Sequence, residues 1–154
     1  MRGEEPDELN GAAEELRREA GALLGGLDAV PEPGMKWRAA DLAAIDERVG
    51  DAAVIVIDLA GVVTLWSAGA EALYHYARAE AVDRSLCELI FTPEDRSICE
   101  QIRDGLAETG TWEGEFWLSR KDASRFLAYV YEATVEDDLG HTVGFIGVSY
   151  EVAT

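Results

Sequence analysis

The 154-residue sequence has few basic residues, few cysteines and no long apolar run. Its 13 lysines and arginines are outnumbered by 31 acidic residues, which gives a formal charge of −18. A surface of this sign repels nucleic-acid phosphates and anionic lipid headgroups, so we expect neither nucleic acid nor a membrane surface as a partner. The apolar run at 52–57 ends at Asp58, and no run approaches the ~20 residues of a membrane span.

The two cysteines, Cys87 and Cys99, form neither a CxxC pair nor a disulfide framework. We therefore expect free thiols and a reducing cytoplasm. The N-terminal segment MRGEEPDELN lacks the cationic and apolar regions of a signal peptide, which supports the same location. With 48% hydrophobic residues the chain is predicted to fold as a domain with a buried core.

The first fifty residues are predicted to be a helical extension with a linker (1–50), and the rest one domain (51–154). In 6–27, apolar residues recur at alternating spacings of four and three, which predicts an amphipathic helix with an apolar stripe that includes Leu9, Leu16 and Leu23. This helix either packs on its own domain or pairs with another chain. Prolines and a glycine in 29–35 indicate a linker, and 39–49 predicts a short helix.

From residue 51 the pattern changes to strands around a helical middle. Strands are predicted at 52–58 and 62–66, followed by short helical pieces over 68–90 and a helix over 97–109 that ends at Gly110. Three further strands are predicted, at 111–119, 125–135 and 142–150. Two strand blocks around a helical middle predict an α+β fold, in which short helices cover one face of a single antiparallel sheet.

Four phrases in this order resemble the consensus blocks of a PAS domain. They are DLAGVVTLWSAGAEALYHY (58–76), LIFTPEDR (89–96), ETGTWEGEFWLSRKDASRF (108–126) and VEDDLGHTVGFIGVSYEVAT (135–154). The resemblance implies a five-stranded antiparallel sheet that cups helices around an apolar cavity. It also implies a sensory or interaction role in a bacterial signal-transduction protein, with a downstream signalling domain or partner protein.

Several residues depart from the PAS pattern. Ser67 replaces an asparagine, Asp83 replaces a glycine, and Ala123 replaces the glycine of the K-D-G-S turn. The alanine implies a turn without the left-handed residue that glycine supplies at no steric cost. Glu151 replaces the aspartate that ties the last strand to an output helix, and its longer side chain can still do so.

The cofactor-binding PAS subfamilies are not matched. Cys87 lies one residue after the position of the reactive cysteine in the flavin photoreceptors. The positions at which those proteins have flavin-binding amide side chains correspond to Ala128 and Ser149. The histidine position of the haem sensors falls at Cys99. We therefore expect no haem and no flavin, and His75 and His141 lack the partners of a metal site.

One face of the predicted strands, with the long helix, forms a candidate ligand pocket. By alternation and helical spacing its residues are Ile98, Ile102, Leu106, Phe116, Leu118, Phe126, Ala128, Val130, Phe145 and Ser149. A ligand of this pocket would be hydrophobic or planar, such as a fatty acyl chain. The alternative is that these side chains fill the core, and that the domain is a pure protein-protein interaction module.

The opposite strand face is also apolar. Its residues are Trp117, Leu127, Tyr129, Tyr131, Ile146, Val148 and Tyr150. Such a patch exceeds what a soluble monomer exposes, so another polypeptide surface must cover it. We expect a homodimer in which the N-terminal helix and this face share the burial, and cover by that helix alone is the alternative.

No catalytic constellation stands out. Ser67 lacks the strand-turn-helix setting of a hydrolase nucleophile, and the acidic pairs at 94–95 and 137–138 lie in predicted turns. We therefore expect a non-catalytic module. A pocket carboxylate with a raised pKa would favour chemistry, whereas an all-apolar pocket would favour sensing.

Overall fold

A computed structural model of the chain describes the backbone of Trp37–Arg38 and residues 52–152. The predicted linker at 29–35 and helix at 39–49 lie outside the described residues. The predicted helix at 6–27, with Leu9, Leu16 and Leu23, lies outside them as well.

Strands flank a helical middle, as predicted. In chain order the elements are β1 (Trp37–Arg38), β2 (Ala53–Asp58), β3 (Val63–Trp66), α1 (Ala68–Tyr74), α2 (Arg78–Ala81), α3 (Leu86–Ile90), a 3₁₀ turn (Pro93–Asp95), α4 (Arg96–Thr109), β4 (Thr111–Ser119), β5 (Arg125–Glu136) and β6 (Thr142–Glu151). The predicted fold class is confirmed. Among the described elements, the two-residue strand β1 and the 3₁₀ turn have no counterpart in the prediction.

Five strands form one antiparallel sheet in the order β4-β5-β6-β2-β3. β5 is central and pairs with β4 and β6 over most of its length, with Tyr131 opposite both Glu113 and Val148. β1 pairs parallel to the end of β5, where Trp37 lies opposite Val135. β5 therefore touches three other strands, and its residues alternate between the two faces of the sheet.

Ser67 fixes the junction between the first hairpin and the helices. Its Oγ accepts hydrogen bonds from the backbone N–H groups of Val54 (2.9 Å) and Ala70 (3.2 Å) and donates to the carbonyl of Ala52 (2.9 Å). The serine thus begins α1 as its N-cap and holds β2 beside it. This fully bonded, buried hydroxyl has a structural role.

Among the described residues, three non-glycine residues occupy left-handed backbone conformations: His75, which follows the end of α1 with φ 67°, Asp83 and Ala123. Asp83 has φ 75° and Ala123 has φ 73°. The expectation that the turn at 123 avoids this conformation is wrong, because the turn keeps its geometry with alanine in place of glycine. A left-handed alanine costs about 1 kcal/mol relative to glycine.

α4 ends where the sequence predicts, whereas the expected tie between Glu151 and an output helix stays a prediction. α4 ends at Gly110, whose φ is 88° and whose N–H donates to the Leu106 carbonyl (2.8 Å). At the end of β6, Glu151 accepts a hydrogen bond from the Arg120 guanidinium (2.9 Å). Glu151 therefore ties the last strand to the β4–β5 turn.

Each face of the sheet buries its own apolar cluster. The helices cover the inner face, where Trp66 and Tyr74 are fully buried. The outer face buries Val54, Val56, Tyr129, Tyr131, Ala133, Val135, Ile146 and Val148. Tyr150 and Leu127 are half-buried there, and Trp117 on the edge strand β4 is 49% exposed.

Cys87 of α3 and Cys99 of α4 form a disulfide, with their Cα atoms 6.0 Å apart. The expectation of free thiols is therefore wrong. The 3₁₀ turn at Pro93–Asp95 reverses the chain between α3 and α4, and this reversal brings the two cysteines together. Since the thiols are paired, they no longer indicate a reducing compartment.

Candidate ligand cavity

A cavity lies between the inner sheet face and the helices α3 and α4. Its volume is about 40 Å³, counted as the space that the centres of water molecules can occupy. Most of its wall is apolar, built from Ile55, Ile57, Leu86, Ile90, Phe91, Ile102, Phe116, Leu118, Val130 and Phe145. Because roughly 15 Å³ of such space holds one water, the open volume is that of a few waters.

The predicted pocket residues divide into three groups. Six line the cavity, namely Ile102, Phe116, Leu118, Val130, Phe145 and Ser149. Leu106, Phe126 and Ala128 are buried in the same core without reaching it. Ile98 is 36% exposed and points away, because the inward stripe of α4 passes through Cys99 instead.

The first polar group of the cavity is a tyrosine–serine pair. The hydroxyl of Tyr74 in α1 donates to Ser149 Oγ on β6 at 2.7 Å. Burial raises the pKa of Tyr74, so the phenol stays protonated. Helical spacing assigns Tyr74 to the core, but only the packing of α1 against β6 shows this pair.

The second polar group is the carboxyl of Glu132 on β5. It follows Val130 on the same side of the strand and lies opposite Gly147 of β6. A Cβ on Gly147 would lie 3.1 Å from Glu132 Cγ, so the glycine makes room for this side chain. Burial raises the pKa of Glu132 to about 7. Sequence reasoning missed this residue, although its parity with Ala128 and Val130 could have identified it.

The third polar group is the Arg103 guanidinium of α4, which lies beside the β2–β3 turn. A Cβ on Gly61 would lie 2.5 Å from Arg103 Nη1, so the absence of a side chain there leaves space for the arginine. Within residues 52–152, Arg103 makes no ion pair. Arg103 therefore contributes a positive charge to the cavity wall.

Neither a metal centre nor a membrane span is found in the described part of the chain. Among those residues, no three His, Cys, Asp or Glu side chains are grouped so that they could hold a metal ion. No described helix has the length and apolar character needed to cross a bilayer.

Comparison with known proteins identifies the fold. A family model described as PAS fold matches residues 40–149. "Two-component system protein A" of Emericella nidulans is 31% identical over 108 residues, which are 69% of this chain. The chain spans only 16% of that relative.

Two solved structures show the same architecture. The PAS domain of a Colwellia psychrerythraea protein has a TM-score of 0.65 at 22% identity, with 73% of this chain and 96% of that chain covered. A light-oxygen-voltage domain from work on a flavin analogue has a TM-score of 0.63 at 25% identity, with 75% and 88% covered. The resemblance read from the four sequence phrases is confirmed, and the chain belongs to the PAS-fold family of signalling domains.

Proposed function

We propose that this chain is a non-catalytic sensory and dimerisation module of a bacterial signal-transduction protein, and that its cavity binds a small, mainly hydrophobic ligand. The observation that carries the proposal is the unfilled volume between α3, α4 and the sheet, which has an apolar wall and three polar groups. Sites of this composition are typical of small-molecule recognition. A filled core with no ligand, in a pure interaction module, is the competing function.

The open volume sets a condition on ligand binding. Because about 40 Å³ accommodates only a few waters, a ring-sized ligand requires α3 or α4 to move outward. Gently purified protein, denatured and analysed by mass spectrometry, is expected to release a small molecule. Protein that releases none and binds none of a library of small apolar compounds would favour the interaction-only function.

We propose that neither haem nor flavin is the ligand. The residues present do not fit either group, because Cys87 and Cys99 are joined and neither sulfur is free to react or to ligate iron. Ala128 is buried away from the cavity, and Ser149 offers a hydroxyl where an amide is needed. A blank visible spectrum after incubation with haem or FMN is the expected result.

The non-catalytic part of the proposal must account for Glu132, since a cavity carboxyl with a raised pKa is also typical of enzymes. Acid–base or nucleophilic catalysis needs a second group in reach of the first. The other ionisable side chains of the described wall are Tyr74, which bonds to Ser149, and Arg103, while Cys99 is oxidised. Tyr74 is near enough to Glu132 to be affected by its charge, but its hydroxyl donates to Ser149, and this arrangement supports recognition over chemistry.

Dimerisation is proposed from the outer sheet face. Its aromatic residues are of the types enriched in subunit interfaces, and Trp117 at its edge is 49% exposed, whereas Tyr129, Tyr131 and the β-branched residues of the cluster are already buried within one chain. Light scattering on the full chain and on a variant lacking residues 1–35 tests this. A dimer is expected for the full chain, and a monodisperse, soluble monomer after the deletion would contradict the shared burial.

A cytoplasmic location belongs to the same proposal. The Cys87–Cys99 disulfide weighs against it, because a reducing cytosol would keep both cysteines as thiols that react with N-ethylmaleimide in intact cells. Complete protection of both cysteines in cells, with labelling only after reduction, would place the protein in an oxidising compartment instead.

A further inference from the structure

We propose that Glu132 is the recognition group of the cavity and that its ligand is a small apolar molecule bearing one protonated nitrogen, such as an arylalkylamine. This inference rests on the proposed ligand-binding function and specifies the chemistry of the ligand. The evidence for it is the position of the Glu132 carboxyl and the residues that surround this group.

The sheet directs the Glu132 side chain into the cavity. Strand alternation puts it on the inner face with Val130, while Tyr131 faces outward. Gly147 on the paired strand removes the side chain that would fill the space beside it. The carboxyl therefore forms part of the cavity wall, where a bound molecule can reach it.

The carboxyl lacks a partner within the described residues. It accepts no hydrogen bond there and pairs with no cation. The neighbouring polar groups make other contacts: the Tyr74 hydroxyl donates to Ser149, and the Arg103 guanidinium lies against Gly61. Glu132 is half-buried, and a partly desolvated carboxyl without a partner is costly, so burial raises its pKa. A ligand N–H group would supply the missing hydrogen-bond donor.

Charge favours a cationic ligand over an anionic one. An amine is attracted to a chain of formal charge −18 and then to the carboxyl itself. A free carboxylate would be repelled by ionised Glu132, or would have to share a proton with it. The fatty acyl chain expected from the sequence therefore fits the apolar wall but not this polar group. Arg103 is the one described wall residue that would take an anion.

Three compounds with the same ring test the inference on the full chain: 2-phenylethylamine, 2-phenylethanol and 3-phenylpropionate. Dissociation constants are measured by NMR titration between pH 6 and pH 8.5. At pH 8 the amine is expected to bind about tenfold or more tighter than the alcohol, because a charge-assisted bond replaces an unpaired carboxyl. This preference should decrease as the pH falls through 7 and Glu132 becomes protonated.

Two variants complete the test. Glu132→Gln should reduce the affinity for the amine to about that for the alcohol. Glu115→Gln is the matched control, because Glu115 is next to the cavity residue Phe116 on β4 and therefore lies on the opposite face, outside the cavity. The pH dependence of the unmodified chain needs no variant, so the test does not depend on the folding of Glu132→Gln.

The outcomes separate the two proposals. If the alcohol binds but the amine has no preference, or the preference survives in Glu132→Gln, the role of Glu132 is overturned and ligand binding stands. Tightest binding of phenylpropionate would assign recognition to Arg103 and also overturn it. If none of the three compounds binds, both proposals are overturned.

Discussion

Reduction of the Cys87–Cys99 disulfide is expected to lower the free energy of unfolding by about 3 kcal/mol without unfolding the domain. The two residues are 12 apart in sequence, so the disulfide closes a short loop in the unfolded chain. The chain-entropy relation for a loop of this length gives about 3 kcal/mol at 25 °C. That is a large fraction of the ~5–15 kcal/mol by which domains are stable.

The native contacts of the bridged helices explain why the reduced protein should remain folded. Leu89 and Ile90 of α3 and Ile102 and Leu106 of α4 are buried in the inner core, independently of the sulfur–sulfur bond. Reduction removes the constraint on the unfolded chain and leaves these contacts in place. The loss is therefore expected in the unfolding midpoint and not in the native circular dichroism spectrum.

Urea unfolding of the full chain, with and without a phosphine reductant, measures the effect. With a urea dependence of about 1–2 kcal/mol per molar, the midpoint should fall by roughly 1.5–3 M. A Cys87→Ala, Cys99→Ala double variant should unfold in a way that does not respond to reductant. An unchanged midpoint in the wild-type chain, or two thiols titrating in the untreated protein, would refute the reasoning.

Three further perturbations follow from backbone and burial. Ala123→Gly should raise the free energy of unfolding by about 1 kcal/mol, because it relieves a φ of 73°, and a lower thermal midpoint would contradict this. The free energy of unfolding should fall by up to about 3 kcal/mol between pH 4.5 and pH 7 and then level off. The reason is that Glu132 has a pKa of about 7 in the folded chain and near 4.5 in the unfolded chain. Urea titrations of Glu132→Gln at the same pH values should lack this decrease. Gly105→Ala should stabilise α4 by about 0.5–1 kcal/mol, since the added Cβ lies at an ordinary 3.7 Å from the Trp112 ring. Gly144→Ala should destabilise the domain by several kcal/mol, because the added Cβ overlaps the Ile57 carbonyl. Calorimetry that ranks the two variants in the reverse order would contradict this packing.

The strands and the end of the long helix were predictable because their signals are local. Alternating apolar residues predicted 111–119 and the observed β4 has the same bounds. Gly110 ends α4 because a helix terminus favours a residue with positive φ, and glycine adopts it without cost. Such patterns need no knowledge of distant neighbours.

The disulfide and the polar groups of the cavity depend on neighbours far apart in sequence. Cys87 and Cys99 meet only because the chain reverses between α3 and α4. Gly61 provides space for Arg103, and Gly147 for Glu132, across pairs that no local pattern identifies. Ile98 was predicted at the cavity because it precedes Ile102 by four residues. Residues four apart differ in direction by about 40° around a helix, so such a stripe turns away from the core. The inward position belongs to Cys99 instead.

The alternation of β5 also links the cavity to the outer face. Glu132 lies in the cavity, while its neighbours Tyr131 and Ala133 are buried in the outer cluster. Both neighbours are hydrogen-bonded in register to β6, opposite Val148 and Ile146. Because the strand backbone is shared, a ligand that shifts the backbone at Glu132 would also shift these residues or strain the β5–β6 ladder. The outer face is therefore the surface that such a backbone shift would affect most directly, because Tyr131 and Ala133 are each one peptide bond from Glu132.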